Sequence, residues 1–235
     1  MKTNKCLIFA FGIFISLFGA CKNDIDNYGA PDGGIHGTVY DEETHEPIPL
    51  PVQGNAGVLV NLIEQQTNAT KSVDFRAKQD GTYENSTVFN GDYKVVINGP
   101  FVNGCEGYVT IDGQTQLDLH AVPFSRIDIH AHADENNRLE VDYEIHKTDE
   151  NFNLTEVSVM WNFAPGVDIN SSNYAAKNSL GAASQGTFTF DLTKDANFVN
   201  NLYKIQANGN RVYVRVAAKV NNQVNYSKTI ELILP

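Results

Sequence analysis

The chain has 235 residues, of which 28 are Asp or Glu and 17 are Lys or Arg, for a formal charge of −11 at pH 7. A surface this acidic repels phosphate backbones and anionic headgroups, which excludes nucleic acid as a partner and argues against electrostatic docking on a membrane. Three cysteines are too few for a disulfide framework, so an ordinary apolar core must hold the fold.

The first predicted element is a leader over residues 1–20. Lys2 and Lys5 precede an apolar run from Leu7 to Phe18, broken only by Gly12 and Ser16, and Gly19-Ala20-Cys21 follows. A basic start, an apolar middle and a small-residue end make a secretory signal. The run is too short to span a bilayer, which takes about 20 residues. Its end resembles a bacterial lipobox, with Phe18 standing where Leu is usual. The resemblance implies cleavage before Cys21, lipid attachment to that residue, and anchoring to outer-membrane lipid through acylated Cys21. More than one acyl chain is needed for stable attachment, because one chain dissociates readily. Loss of Lys2 and Lys5 with the leader takes the 17 basic residues to 15 against 28 acidic ones, a charge of −13. Cys6 leaves with the leader, and Cys105 then remains without a partner for an intrachain disulfide. Glu106 beside it has the wrong sign to activate the thiol, which reads as a packing residue.

Residues 21–32 form a tether with no apolar periodicity, ending in Ala30-Pro31-Asp32-Gly33-Gly34. Beyond it the pattern has period two. Ile35, Gly37 and Val39 alternate with polar neighbours; Val58, Val60 and Leu62 follow, then Tyr93, Val95 and Ile97. Asp80-Gly81, Asn90-Gly91, Asn98-Gly99 and Asp112-Gly113 punctuate these runs, as tight turns between antiparallel strands do. Pro123 lacks an amide donor and restricts Val122, so no central strand runs through it. It separates a domain at 33–122 from one at 123–235. In the second, Ile127 to Ala131, Leu139 to Ile145, Val157 to Phe163, Phe188 to Leu192, Val212 to Ala218 and Ile230 to Leu232 again alternate. About six or seven strands suit one sandwich. A short helix of about one or two turns is expected at Asp195 to Tyr203, capped by Asp195. The fold class is therefore all-β, with two consecutive β-sandwiches, each expected to fold on its own core.

Gly37-Thr-Val39-Tyr-Asp41, Thr44-His-Glu-Pro47-Ile48, Asp80-Gly81-Thr-Tyr83 and Gly91-Asp-Tyr93 occur in the order of the carboxypeptidase-regulatory-like, or transthyretin-like, sandwich. The first domain resembles that family over about residues 33 to 122, with a longer loop at Pro49 to Gly57. Val212-Tyr213-Val-Arg215-Val216-Ala217, leading through Asn221-Asn222 to Tyr226-Ser227, resembles the last hairpin of fibronectin-III or immunoglobulin-like domains. Taken whole, the chain is similar to a two-domain Bacteroidetes lipoprotein family of unknown function. That resemblance implies a partner among SusC/SusD-type importers and a place in glycan uptake, on the surface or the periplasmic face of the outer membrane.

Chemistry is harder to find. Asp128, His130, His132 and Asp134 share one strand face, and two imidazoles at this spacing can bind zinc. The same alternation follows from a solvated sheet face, and no metal or cofactor is expected. His45-Glu46 opens an HExxH pattern, but Pro49 occupies the last position in a turn, so no metalloprotease helix forms there. No nucleophile motif or phosphate loop appears, and no catalytic residues are assigned. Trp161 shares parity with Val157, Val159 and Phe163 and belongs to the core. The polar stretch Pro165 to Gln185 is long for an ordinary loop. With Asp195 to Asn210 it offers Tyr174 and Tyr203 as candidate ligand-binding residues. The expected role is a non-catalytic, lipid-anchored accessory or glycan-binding protein of nutrient uptake; a structural or adhesin-like spacer is the alternative.

Overall fold

In the structure, a computed structural model describing residues 29–66 and 70–235, the period-two runs become strands, and the described residues hold sixteen strands in all. The leader, Cys21 and the tether as far as residue 28 lie outside the described residues. Two units divide between Ala30 and Pro31. Of the first unit only Gly29 and Ala30 are described, and both are exposed.

The second unit holds both sandwiches. β1 (Gly33–Asp41) is the hub of the first: β4 (Thr82–Val88) pairs with it antiparallel, and β7 (Gln114–Gln116) and β8 (Leu119–Ala121) pair with it in parallel. The facing sheet runs β3 (Val73–Arg76), β2 (Leu59–Glu64), β5 (Gly91–Asn98), β6 (Cys105–Ile111). Ile35, Val39, Val60, Leu62, Val95 and Ile97 fill the space between. Alternation places one side chain in two on that inner face, so the hydrophobic effect fixes the register. Gly37 is needed for close approach, because a Cβ there would stand 1.7 Å from the Leu117 carbonyl. The Tyr83 hydroxyl donates to that same carbonyl. Cys105 is buried in this core.

In the second sandwich β9 (Ser125–Ala133), β10 (Arg138–Lys147) and β13 (Gln185–Asp191) form one sheet, with β10 central. The other runs β12 (Ala176–Ser179), β11 (Leu154–Asn162), β14 (Arg211–Val220), with β15 (Gln223–Tyr226) and β16 (Ile230–Ile233) sharing the far edge of β14. Leu139, Val141, Val157, Val159, Trp161, Val214 and Val216 make its core. Asn221 and Asn222, at φ 48° and 64°, close the β14–β15 hairpin in the left-handed geometry that two-residue hairpins favour.

The short helix expected after Asp195 is a full one, α1 (Ala196–Ala207, 12 residues). Three asparagines weaken its intrinsic propensity, and packing compensates. Phe198 and Ile205, seven residues apart, are buried against the sheet, with the Phe198 ring edge-on to Trp161 at 6.2 Å. The Asp195 carboxylate caps the helix by accepting the Asn197 N–H and also accepts Trp161 Nε1–H at 3.0 Å. Trp161 is thus buried, as its parity predicts. Part of the stretch from Pro165 to Gln185 is likewise not loop: β12 pairs with the edge of β11.

Candidate functional site

The chemistry of the molecule gathers where the two sandwiches meet. The Pro49–Gly57 loop of the first domain lies against the 165–175 loop and β14–β15 of the second. Arg215 is the centre of this junction, with 0% of its surface exposed. Its Nε–H donates to the Ser227 carbonyl (2.8 Å), Nη1 to Val167 (2.9 Å), and Nη2 to Leu50 (2.8 Å) and Gln79 (3.4 Å) of the first domain. The Tyr226 ring lies 4.6 Å from the guanidinium carbon, within range of a cation–π attraction. Burial pulls the Arg215 pKa down to about 10, with Tyr226 and Asp168 opposing that shift, and pushes the Tyr226 phenol up to about 12. The guanidinium therefore stays charged at neutral pH.

Asp168 repeats this logic with a negative charge. Its buried carboxylate accepts N–H bonds from Val52 across the junction (2.9 Å), from Asn170 (2.8 Å) and from the Asn173 side chain (3.0 Å). Asn225 completes the lock: its carbonyl oxygen accepts the Ser125 N–H and its amide donates to Pro100, each at 3.1 Å. At the near side Asp41 takes both Arg126 Nε (2.6 Å) and Nη2 (2.8 Å). Its pKa is raised by burial, but this pair and the backbone donors of Glu43 and Thr44 outweigh that and hold it below 3.8.

Two clefts open along the junction. The larger, about 520 Å³, is walled by Pro51 and Val58 from the first domain and Ile169 and Val224 from the second, and polar groups come from Asn98, Asn170, Asn222 and Gln223. Ile169 is 38% exposed although apolar. The Asn98 amide donates to Asn61 Oδ1 at 2.6 Å. The arrangement can hold a neutral polar ligand: primary amides each offer donors and an acceptor, and apolar walls cover the ligand's C–H faces. Among the described residues Asp168 is the one carboxylate lining it, and its oxygens are already occupied. The smaller cleft, about 280 Å³, runs between β9 and the turn containing Thr44 to Pro49, with Ile230 and Lys228 on its far side.

The sequence-predicted residues fall elsewhere. Tyr174 packs onto a small cluster on the outer face of β14 that includes Met160, Tyr213 and Tyr226. Tyr203 stands on α1, 66% exposed, with Lys204 Nζ 5.6 Å from its ring. Neither lines either cleft. The polar stretch does reach the larger cleft, but through Asp168, Ile169 and Asn170. His130 and His132 lie on the outer face of β9, with His132 3.8 Å from Glu140. Among the described residues no group of three or more His, Cys, Asp and Glu is placed to hold a metal ion. Arg215 escapes sequence reading because alternation assigns it to solvent. The available signal is Tyr213-Val-Arg215-Val-Ala217-Ala218, apolar at both parities, which marks a strand covered on both faces.

Comparison with known proteins bears on the whole chain. Residues 33–122 match the model described as Protein of unknown function (DUF3823) N-terminal domain, and residues 125–230 match Domain of unknown function (DUF3823_C). A DUF3823 family protein from Parabacteroides merdae superposes with TM-score 0.72 at 18% identity, covering 87% of this chain and 100% of that one. One from Bacteroides uniformis gives 0.69 at 21%, with the same coverages. Another Bacteroides uniformis protein, named "putative carbohydrate binding protein", gives 0.66 at 19%, again covering 87% and 100%. At such identities the likeness is one of fold. No curated protein matches. With both sandwiches matched in order, the chain belongs to the DUF3823 family.

Proposed function

We propose that this protein is a non-catalytic carbohydrate-binding lipoprotein, held to the outer membrane through acylated Cys21 and serving a SusC/SusD-type importer. The observation that carries the reading is the larger junction cleft, where Asn98, Asn170, Asn222 and Gln223 converge beside Pro51, Ile169 and Val224. A sugar hydroxyl donates and accepts at once, and side-chain amides match both halves of that demand. Glycoside hydrolysis requires two carboxyl groups about 5 to 9.5 Å apart. Among the described residues Asp168 is the one carboxylate this cleft offers, and three N–H donors fix that group in place. The carbohydrate-binding name of a fold relative points the same way.

A glycan array probed with the whole chain tests the reading. The expected result is saturable binding of neutral oligosaccharides, weakened at least tenfold in Asn98→Ala and Gln223→Ala. A blank array, or binding that both variants leave intact, removes the glycan role and favours a spacer. Localisation is tested separately: Cys21→Ala should move the protein from the membrane fraction to the soluble one, and an unacylated mature terminus by mass spectrometry would end the anchoring proposal.

A further inference from the structure

The smaller cleft has a property that a sugar site does not need: it runs along the open edge of a strand. Thr148 N–H bonds to the Phe124 carbonyl and Asp134 N–H to the Arg138 carbonyl. Those bonds fix the β9–β10 ladder on even-numbered residues of β9, since antiparallel pairs exchange hydrogen bonds at every second position. The odd-numbered Ile127 and Ile129 therefore turn their N–H and C=O groups away from β10, and among the described residues β9 has no second neighbour in its sheet. Ser125, the first of this series, shows the direction: its N–H leaves the sheet and is accepted by Asn225 Oδ1.

The cleft lies on this edge, lined by the consecutive residues Ser125 to Ile129, so both strand faces and the backbone between them border it. Ile48 and Ile230 give it an apolar floor. The Ser125 hydroxyl, on a residue 2% exposed, has no hydrogen-bond partner among the described residues. A buried unsatisfied hydroxyl beside unpaired backbone groups is costly and calls for a partner. Charge narrows the choice of partner. Arg126 is held by Asp41 and Glu43, and Lys228 by Glu46, which leaves Asp128 on the rim facing only His146.

We infer that this cleft receives an extended segment of a partner protein, which pairs with the backbone of Ile127 and Ile129 and sets one apolar side chain against Ile48 and Ile230. Strand addition of this kind draws affinity from main-chain hydrogen bonds and selectivity from the pocket for alternate side chains. The Asp128 carboxylate on the rim favours a basic residue beside the apolar one.

The test uses the whole chain in detergent and a fluorescein-labelled seven-residue peptide alternating Lys and Val, followed by anisotropy and by amide hydrogen exchange. Saturable binding is expected, with exchange slowed at Ile127 and Ile129, and a Glu/Val peptide at least tenfold weaker. Ile129→Pro removes one edge donor without touching the β9–β10 ladder, a position where proline is tolerated. Ile230→Glu charges the floor from another strand. Each should lower peptide affinity at least tenfold. Equal affinity for the Glu/Val peptide, binding unchanged in both variants, or no protection at Ile127 and Ile129 overturns the inference. Displacement of the peptide by neutral oligosaccharides would make the cleft a sugar site instead, and a dimer lost in both variants would make it a self-contact; either result also overturns it.

Discussion

Arg215 Nη2, in the second sandwich, donates to the backbone carbonyl of Leu50 in the first at 2.8 Å, from a side chain with no exposed surface. One guanidinium thereby ties β14 to the loop that lengthens the first domain beyond its resemblance to transthyretin-like modules. Its other acceptors are the carbonyls of Ser227, Val167 and Gln79. The planar fork of arginine meets four carbonyls at once, one more than the three donors of an ammonium could serve.

Arg215→Met should destabilise the whole chain by about 3 to 5 kcal/mol, since several buried carbonyls lose their donor together. Arg215→Lys should recover little of that. In the separate fragment 124–235 the same substitution should cost less, because water replaces the Leu50 and Gln79 acceptors. Urea unfolding of the three whole-chain proteins and the two fragment forms measures this. Equal costs in fragment and whole chain would mean that Arg215 serves the second domain alone.

The Asp41–Arg126 pair makes stability depend on pH. Burial raises the Asp41 pKa, but the Arg126 bonds and backbone donors outweigh it and leave the folded value below 3.8. A carboxylate depressed in the folded state stabilises above its unfolded pKa and loses that contribution as pH falls through the folded value. Asp41→Asn should therefore be about 2 to 3 kcal/mol less stable than the parent at pH 7. That gap should narrow below about pH 3.8. Melting curves of both proteins from pH 7 to pH 2.5 check the sign.

Trp161 and Asp195 couple the helix to the sheet. Trp161→Ala should cost about 3 to 5 kcal/mol through lost core volume. Trp161→Phe should cost about 1 kcal/mol or slightly more for the lost hydrogen bond, and Asp195→Ala about 1 kcal/mol for the cap alone. A double-mutant cycle between Trp161→Phe and Asp195→Ala should show a favourable coupling. Loss of glycan binding with an unchanged melting temperature in Trp161→Ala would instead make this ring a ligand platform.

Cys105 should be inert in the folded protein. Burial pushes its thiol pKa up to about 12, so the reactive thiolate is scarce at neutral pH. Iodoacetamide at pH 8 should label the Cys105 peptide, identified by mass spectrometry, only after denaturant is added. Rapid labelling under native conditions would show that the first domain opens locally.

Periodicity by itself determined most of the fold. Alternation at Ile35–Val39, Tyr93–Ile97 or Val157–Trp161 puts one face of each strand out of water, and Asn-Gly, Asp-Gly and Asn-Asn pairs fix the turns between them. These signals are local, since a strand's inner face follows from its own residues. The helix was half legible: Asp195 marks its start, whereas its length comes from Phe198 and Ile205 meeting Trp161. What joins the sandwiches was decided only by tertiary structure. Arg215, Asp168, Asp41 and Asn225 are polar residues in strands and loops, and by residue type alone such residues read as solvated. They are buried because partners 100 or more positions away in several cases, such as Leu50, Val52 and Pro100, supply the hydrogen bonds that make burial affordable. The same long-range meeting of the Pro49–Gly57 loop with Asp168–Asn170 creates the amide-lined cleft, while Tyr174 and Tyr203, the rings that composition singled out, are left outside it.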